Sequence, residues 1–356
     1  MLCLLSGEID NNARVSAMQI CVLVLDGVFD TGLSAVLDTF QTANELSEGS
    51  RRRSPFRVTL SGARQRVKTQ QGFQVPVTAL PRVRPDVVIV PALGAKSPAL
   101  LAPALLRRDV AEAGAALTAW AHGGTLVAAA CTGTFVLAQT GLLDGRRATT
   151  TWWLAPFFRQ RFPQVELDDA RMIVDSGGRV TAGAALAHFD LALWLVRRKS
   201  PALARNAAHF LMFDERPSQS AYAMQDHLAH ADPLVEKFET WARRNLAAFS
   251  LDAAARSVGT SERTLERRLR AVLGKSPLSF VQDLRVEQAI HRLHTTAQSI
   301  EEIAEAVGYQ DGVTLRTLLR KKTGRGIREL RLTANPSGTG TRARRPEGPS
   351  PNGATR

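Results

Sequence analysis

The sequence is poor in cysteine and has no long hydrophobic run. Cys3, Cys21 and Cys131 are too few for a disulfide framework in 356 residues, so a reducing compartment is indicated. No 18 consecutive residues are apolar, which excludes a predicted transmembrane helix. The first residues lack the basic segment and the long apolar core of a signal peptide. We therefore expect a cytoplasmic protein without a membrane partner.

Acidic residues are scarce relative to basic ones, with 33 Asp and Glu against 46 Lys and Arg and a net charge of +13. Residues 234–356 hold 22 basic and 13 acidic side chains, so a net charge of +9 lies in the last third. Such an excess suits phosphate binding, although a solvated basic surface explains it equally well. The length predicts two or three domains, and 44% hydrophobic residues exclude a wholly disordered or fibrous chain.

Short apolar runs alternate with amphipathic segments through the first part of the chain. The runs Ile20–Leu25, Asp86–Pro91 and Thr125–Ala130 are typical of buried strands, and residues 32–46 have helical spacing. Strands that are apolar on both faces and alternate with helices predict a parallel sheet covered by helices on both sides. The fold class expected for this part is α/β.

The last hundred residues contain an internal repeat, in which residues 250–280 align with residues 299–330. A repeated segment indicates one structural unit used twice. Each copy has the pattern of a helix, a glycine turn at Gly259 or Gly308, and a second helix. Thr260 or Ser261 in the first copy, and Asp311 in the second, are suitable caps for that second helix.

The second helix of each copy has one apolar face and one Arg- and Thr-rich face. Leu265 and Leu269, like Leu315 and Leu319, are spaced to lie on the apolar face. This pattern after a tight turn is typical of a DNA recognition helix, although a plain helical bundle shows it too. Two copies joined by a helical connector favour DNA and predict insertion into successive major grooves. The candidate DNA-binding residues are Ser261, Arg263, Thr264, Arg267, Thr314, Arg316, Thr317 and Arg320.

The segment from Trp241 to Arg331 resembles the AraC/XylS family of transcription regulators. The motifs that carry the resemblance are Ser261-x-Arg263-Thr264-Leu265, Gly274-Lys275-Ser276-Pro277, Ser299-Ile300-x-x-Ile303-Ala304 and Val307-Gly308-Tyr309-x-Asp311. Leu315 and Leu319 replace the family's usual phenylalanines, and Ile327 replaces its usual proline. The resemblance implies an all-α double helix-turn-helix domain and double-stranded promoter DNA as partner.

Cys131 lies where the apolar run Thr125–Ala130 gives way to the next helix. Small neighbours suit the sharp turn of a nucleophile elbow, and the start of the helix is expected to stabilise a thiolate. The segment Gln19–Phe213 resembles the class I glutamine amidotransferase-like superfamily in its PfpI branch, which implies a flavodoxin-like sandwich. The motifs are Ala130-Cys131-Thr132-Gly133, Thr140-Gly141-Leu142-Leu143-Asp144-Gly145, Ala148-Thr149-Thr150 and Thr181-Ala182-Gly183.

The usual catalytic partners of this cysteine are missing. Thr151 stands where the enzyme branches carry histidine, Gly32 aligns with their carboxylate, and neither His122 nor His188 fits the pattern. We therefore expect a regulator that is not an enzyme. A cysteine-dependent hydrolase or deglycase fused to a DNA-binding module is the alternative, and a cysteine redox sensor without an apparent resolving cysteine is a third.

Open parallel sheets bind small molecules at the carboxyl ends of their strands, so we expect a ligand pocket beside Cys131, unless that residue is merely a small buried side chain. The candidate lining residues are Asp26, Asp30, Cys131, Thr132 and Trp152. Aspartates beside a tryptophan suit a cationic ligand, and similar regulators respond to amino acids or their methylated derivatives. An amino acid or a methylated amine is therefore the expected effector.

No cofactor or metal is expected, because a phosphate-binding glycine loop is missing and the pairs His227/His230 and His291/His294 lack nearby cysteines or a cluster of carboxylates. A homodimer is expected.

Met18 is a plausible start of translation. The expected organisation is a disordered extension over 1–17, an α/β sensor domain over 18–213, a linker over 214–234, the DNA-binding domain over 235–332 and a disordered basic tail over 333–356.

Overall fold

The computed structural model describes residues 17–47, 54–214, 216, 218–219, 222 and 232–332. The predicted amino-terminal extension before residue 17, most of the predicted linker and the predicted basic tail lie outside these residues. Within the described ranges, no helix is long and apolar enough to cross a membrane.

A seven-stranded sheet in the order β10-β11-β7-β6-β1-β2-β5 forms the centre of the first part. Its pairings are parallel except that of β10 with β11. β3 pairs with β4, and β8 with β9, outside this sheet. The strands are β1 Met18–Leu23, β2 Phe56–Gly62, β3 Arg66–Lys68, β4 Gln74–Pro76, β5 Thr78–Ala79, β6 Val87–Val90, β7 Leu126–Ala130, β8 Arg147–Ala148, β9 Glu166–Leu167, β10 Ile173–Asp175 and β11 Arg179–Ala182.

Helices cover both faces of this sheet, as predicted. Alternation along β1 directs Ile20 and Val22 into one hydrophobic cluster, with residues of α1 and α6, and Cys21 and Leu23 into another, with residues of α3 and α4. The helices are α1 Asp30–Glu45, α2 Pro98–Leu105, α3 Arg108–His122, α4 Gly133–Gln139, α5 Ala155–Arg161, α6 Ala187–Lys199 and α7 Pro201–Phe210. The predicted α/β fold is confirmed, with one antiparallel strand at the edge of the sheet.

The remaining elements are helical and repeat as the sequence predicts. They are α8 Pro233–Arg244, α9 Leu251–Ser257, α10 Glu262–Leu273, α11 Pro277–Thr295, α12 Ile300–Ala306, α13 Gly312–Thr323 and α14 Ile327–Leu332. Gly259 and Gly308 have φ angles of +72° and +89°, which is the left-handed conformation expected of the two turns. The described residues form two compact units: those up to 241 together with 251–280 form one, and 242–250 together with 281–332 form the other.

Candidate functional site

The turn at Cys131 has the geometry of a nucleophile elbow. β7 ends at Ala130, Cys131 has a φ angle of +54°, and α4 begins at Gly133. A Cβ atom at Gly133 would lie 2.3 Å from the Val90 carbonyl oxygen, so the close approach of β6 requires glycine there. Positive φ is unfavourable for a residue with a side chain, and the surrounding structure holds Cys131 in it. The predicted elbow is confirmed.

The expectation of a stabilised thiolate is wrong. Cys131 is only 4% exposed, and burial raises the pKa of its thiol. Hydrogen bonding to the backbone around Ala185 and Thr132 opposes this rise in pKa but does not outweigh it. Loss of hydration is therefore the dominant influence on the pKa of this thiol. At neutral pH Cys131 is an uncharged thiol.

His188 is fully buried and both of its ring nitrogens are engaged. Nε2 accepts a hydrogen bond from the Ala92 amide at 3.1 Å, so Nδ1 carries the proton and donates to the Ala185 carbonyl at 2.5 Å. Burial lowers the pKa of His188 to about 4. Its ring also packs on Gly32, where a Cβ atom would lie 2.6 Å from Nε2. His188 is thus a neutral brace between two loops and has no free nitrogen for a general base.

A cavity of about 410 Å³ opens beside Cys131 at the carboxyl ends of the strands. Cys131, Thr132 and Trp152 line it, as the sequence analysis proposed. Sequence reasoning missed other lining residues, although Trp153 directly follows Trp152 in the chain. The other lining side chains of note are Phe29, Leu93, Lys96 and Trp153.

The two aspartates proposed for this cavity do not line it. Asp26 forms an ion pair with Arg64 at 3.2 Å and accepts a hydrogen bond from the Lys68 amide. Asp30 accepts a hydrogen bond from the Gln71 amide at 3.1 Å. Their carboxylates bind the β3–β4 hairpin region, so the structure does not bring them together with Cys131.

Gln219, from the predicted linker, is buried against the same end of the sheet. Its side-chain oxygen accepts a hydrogen bond from the Ala184 amide at 2.9 Å, and its Nε2 donates to the Thr150 carbonyl at 2.8 Å. Thr150 in turn donates to the Cys131 carbonyl at 2.7 Å. Gln219 is therefore attached to the two loops that border the cavity, a contact that composition alone did not indicate.

The first candidate recognition helix, α10, is capped by Ser261, which accepts a hydrogen bond from the Thr264 amide at 3.3 Å. Leu265 and Leu269 are fully buried. Arg263 and Arg267 are exposed, while Thr264 is half-buried. The predicted division into an apolar and a basic face is present. Gly274 follows the last residue of α10 as its carboxyl-terminal cap and has a φ angle of +68°.

The second candidate recognition helix, α13, has the same construction. The predicted cap Asp311 accepts a hydrogen bond from the Thr314 amide at 2.7 Å, and Leu315 and Leu319 are buried. The Arg316 guanidinium donates to the Glu301 carboxylate at 2.9 Å. The candidates Thr314, Thr317 and Arg320 are exposed on this helix, as is Arg316. Thr314, Thr317 and Arg320 are therefore accessible as they stand, whereas Arg316 must first break its ion pair with Glu301.

Comparison with known proteins identifies both parts of the chain. Residues 18–198 match the DJ-1/PfpI family model, which covers half of the chain. The chain belongs to the DJ-1/PfpI family. Residues 254–333 match a helix-turn-helix domain of the AraC type, so this DJ-1/PfpI chain also carries the second predicted module. The predicted resemblances of both parts are confirmed.

Similar proteins include named transcription regulators. The chain is 29% identical over 241 residues to the HTH-type transcriptional regulator ArgR of Pseudomonas aeruginosa, covering 66% of this chain and 70% of ArgR. It is 27% identical over 294 residues to the HTH-type transcriptional regulator GbdR of the same species, covering 81% of this chain and 77% of GbdR. The crystal structure of an AraC family transcriptional regulator from Pseudomonas putida has a TM-score of 0.46 and a sequence identity of 21%. The match covers 55% of this chain and 99% of that chain.

Proposed function

We propose that this protein is a one-component transcription regulator that binds promoter DNA through its two helix-turn-helix copies and a small metabolite through its DJ-1/PfpI domain. The observation that carries the proposal is the joining of an α/β domain with an accessible cavity to two capped helices, α10 and α13, with exposed Arg and Thr faces. The regulator relatives support the same function. We further propose that it acts as a homodimer, which light scattering of the full chain tests.

DNA recognition is assigned to the outer faces of α10 and α13. Arginine donates two hydrogen bonds to guanine in the major groove, and threonine contacts bases or phosphates. Arg263 and Arg267 are already exposed for this role. Arg316 must first exchange the Glu301 carboxylate for a base or a phosphate, so its contribution to affinity is reduced by the lost ion pair.

The DJ-1/PfpI domain is proposed to bind its metabolite without turnover. A thiol that stays protonated is a poor nucleophile, and His188 has no free nitrogen with which to activate it. Turnover of an ester, an amide or a glyoxal substrate that disappears in a Cys131→Ser variant would support the hydrolase or deglycase alternative instead.

The cavity and α10 are connected through one short helix. Trp152 and Trp153 line the cavity and lead directly into α5, which packs against α10. A Cβ atom at Gly274, which caps the carboxyl end of α10, would lie 2.5 Å from the Arg159 guanidinium of α5. Arg268 of α10 also pairs with Asp232 at 2.7 Å. We propose that an effector that favours one position of α5 thereby favours one position of α10.

DNA binding is tested with the full chain by selecting duplexes from a randomised library. Fluorescence anisotropy then compares a selected duplex with a scrambled one at two salt concentrations. We expect the selected duplex to bind about a thousandfold more tightly. Arg267→Ala should weaken binding of the selected duplex by about tenfold or more, whereas Arg108→Ala, a change at an exposed arginine of α3, should not. Weak binding without sequence preference would refute the proposal.

A further inference from the structure

The cavity beside Cys131 has mainly apolar walls. Phe29, Trp152 and Trp153 contribute aromatic surface, and Leu93 and the methyl groups of alanines line the rest. The Trp152 and Trp153 rings meet edge to face with centroids 5.4 Å apart. A ligand that fills such a cavity needs an apolar body of small size, because burial of apolar surface supplies most of the affinity in such sites.

The charge at the cavity is positive, contrary to the expectation from the sequence. Lys96 lines the cavity and is exposed, and no Asp or Glu is among the described residues that line it. Asp26 and Asp30 instead bind Arg64 and the Gln71 amide. A cationic amine in this cavity would therefore lie near an ammonium group without a carboxylate to offset the repulsion.

The charged group that is accessible at the cavity is a hydrogen-bond donor. The Lys96 ammonium is exposed and offers three N–H bonds. The Trp153 indole nitrogen is buried, so its N–H does not face a ligand in the open cavity. The Thr132 hydroxyl already donates to the Leu93 carbonyl at 2.6 Å. Cys131, as a neutral thiol, places no negative charge at the base of the cavity.

We infer that this cavity binds a small monocarboxylate with an apolar or aromatic body, whose carboxylate lies toward Lys96 and whose body packs on Trp152 and Trp153. This inference rests on the proposed effector role of the cavity. It replaces the expected amino acid or methylated amine with a simple carboxylate because the accessible charged side chain among the described lining residues is the Lys96 ammonium, which binds anionic acceptors.

Three probes of one shape test the inference. They are 3-phenylpropanoate, the uncharged 3-phenylpropanamide and the cationic 3-phenylpropylamine, titrated into the full-length protein by isothermal calorimetry at neutral pH and low salt. We expect the carboxylate to bind about three- to tenfold more tightly than the amide, and the amine most weakly. The preference for the carboxylate should shrink as salt is added, because Lys96 is exposed.

Variants test which residues produce the preference for the carboxylate over the amide. Lys96→Met should abolish the difference between carboxylate and amide, whereas Lys68→Met, a change at an exposed lysine that does not line the cavity, should preserve it. Trp152→Ala should weaken the carboxylate and the amide alike. Equal affinities in the unmodified protein, tighter binding of the amine, an unchanged preference in Lys96→Met, or failure of all three probes to bind would each overturn the inference.

The same preparations separate this inference from the regulator proposal. Each is tested by anisotropy on the selected duplex, without probe. Specific DNA binding together with tighter binding of the amine leaves the regulator proposal in place and refutes only the ligand class. If the unmodified protein binds the selected and the scrambled duplex equally, the regulator proposal is refuted, whichever probe binds.

Discussion

Acidification should destabilise the DJ-1/PfpI domain because His188 stays neutral in the folded protein. Its pKa falls from 6.5 to about 4 on burial, so between these values the unfolded chain binds a proton that the folded chain does not. Stability then decreases as the pH falls from about 6.5 and stops decreasing, for this group, near pH 4. Each pH unit in that window is worth about 1.4 kcal/mol, so the full loss is about 3 kcal/mol. That is a large fraction of an ordinary folding free energy.

The assay is denaturant unfolding of the full chain, followed by tryptophan fluorescence, at a series of pH values between about 7 and 4. His188→Gln should be less stable than the unmodified protein near pH 7, because a glutamine does not fill the space of the ring above Gly32. The variant should nevertheless lose less stability on acidification. His209→Gln, a change at an exposed histidine of α7, is the matched control and should keep the original pH profile. Parallel profiles for His188→Gln and the unmodified protein would refute this account of His188.

Three further outcomes follow from individual contacts. Cys131 should react with iodoacetamide much more slowly in the folded protein than after denaturation, because burial raises the pKa of its thiol; equal rates, with Cys131→Ser as the blank, would contradict this. Ser299→Ala should lower the stability of the second helix-turn-helix by about 1 kcal/mol, measured by thermal unfolding, because Ser299 and Glu302 form a capping box at the start of α12. Glu301→Ala should strengthen binding of the selected duplex, since it releases Arg316; unchanged affinity in anisotropy would show that Arg316 does not contact DNA.

Local patterns predicted the large elements well. β1, β6 and β7 are buried on both faces, so they appear in the sequence as continuous apolar runs. The pairs β3–β4 and β8–β9 were not predicted, because strands of two or three residues are too short to show a period and depend on distant partners. Gly259 and Gly308 were predictable, because a helix end with positive φ has a local chemical requirement.

The candidate site was predicted less completely. The elbow at Cys131 is encoded by adjacent small residues and was found. The thiolate and the acidic cavity were wrong for a common reason, which is that both depend on distant packing. Burial at the centre of the domain sets the pKa of Cys131, and Arg64, 38 residues away in sequence, takes up the Asp26 carboxylate. Spacing along the chain contains no information about either effect.

An effector regulates DNA binding only if it interacts unequally with two arrangements of the protein. The described contacts limit where that difference can arise. A ligand that touches Trp152 and Trp153 acts on the start of α5, and α5 packs on α10, whereas a ligand that touches Ala185 acts on the loop that Gln219 holds. Both routes begin at the cavity. The first ends at α10, a helix proposed to bind DNA, and the second ends at Gln219. Arg268→Ala, which breaks the ion pair of α10 with Asp232, should therefore change the affinity for the selected duplex. The affinity of the cavity for 3-phenylpropanoate, measured by calorimetry without DNA, should change by no more than the factor by which this probe changes DNA affinity in the unmodified protein.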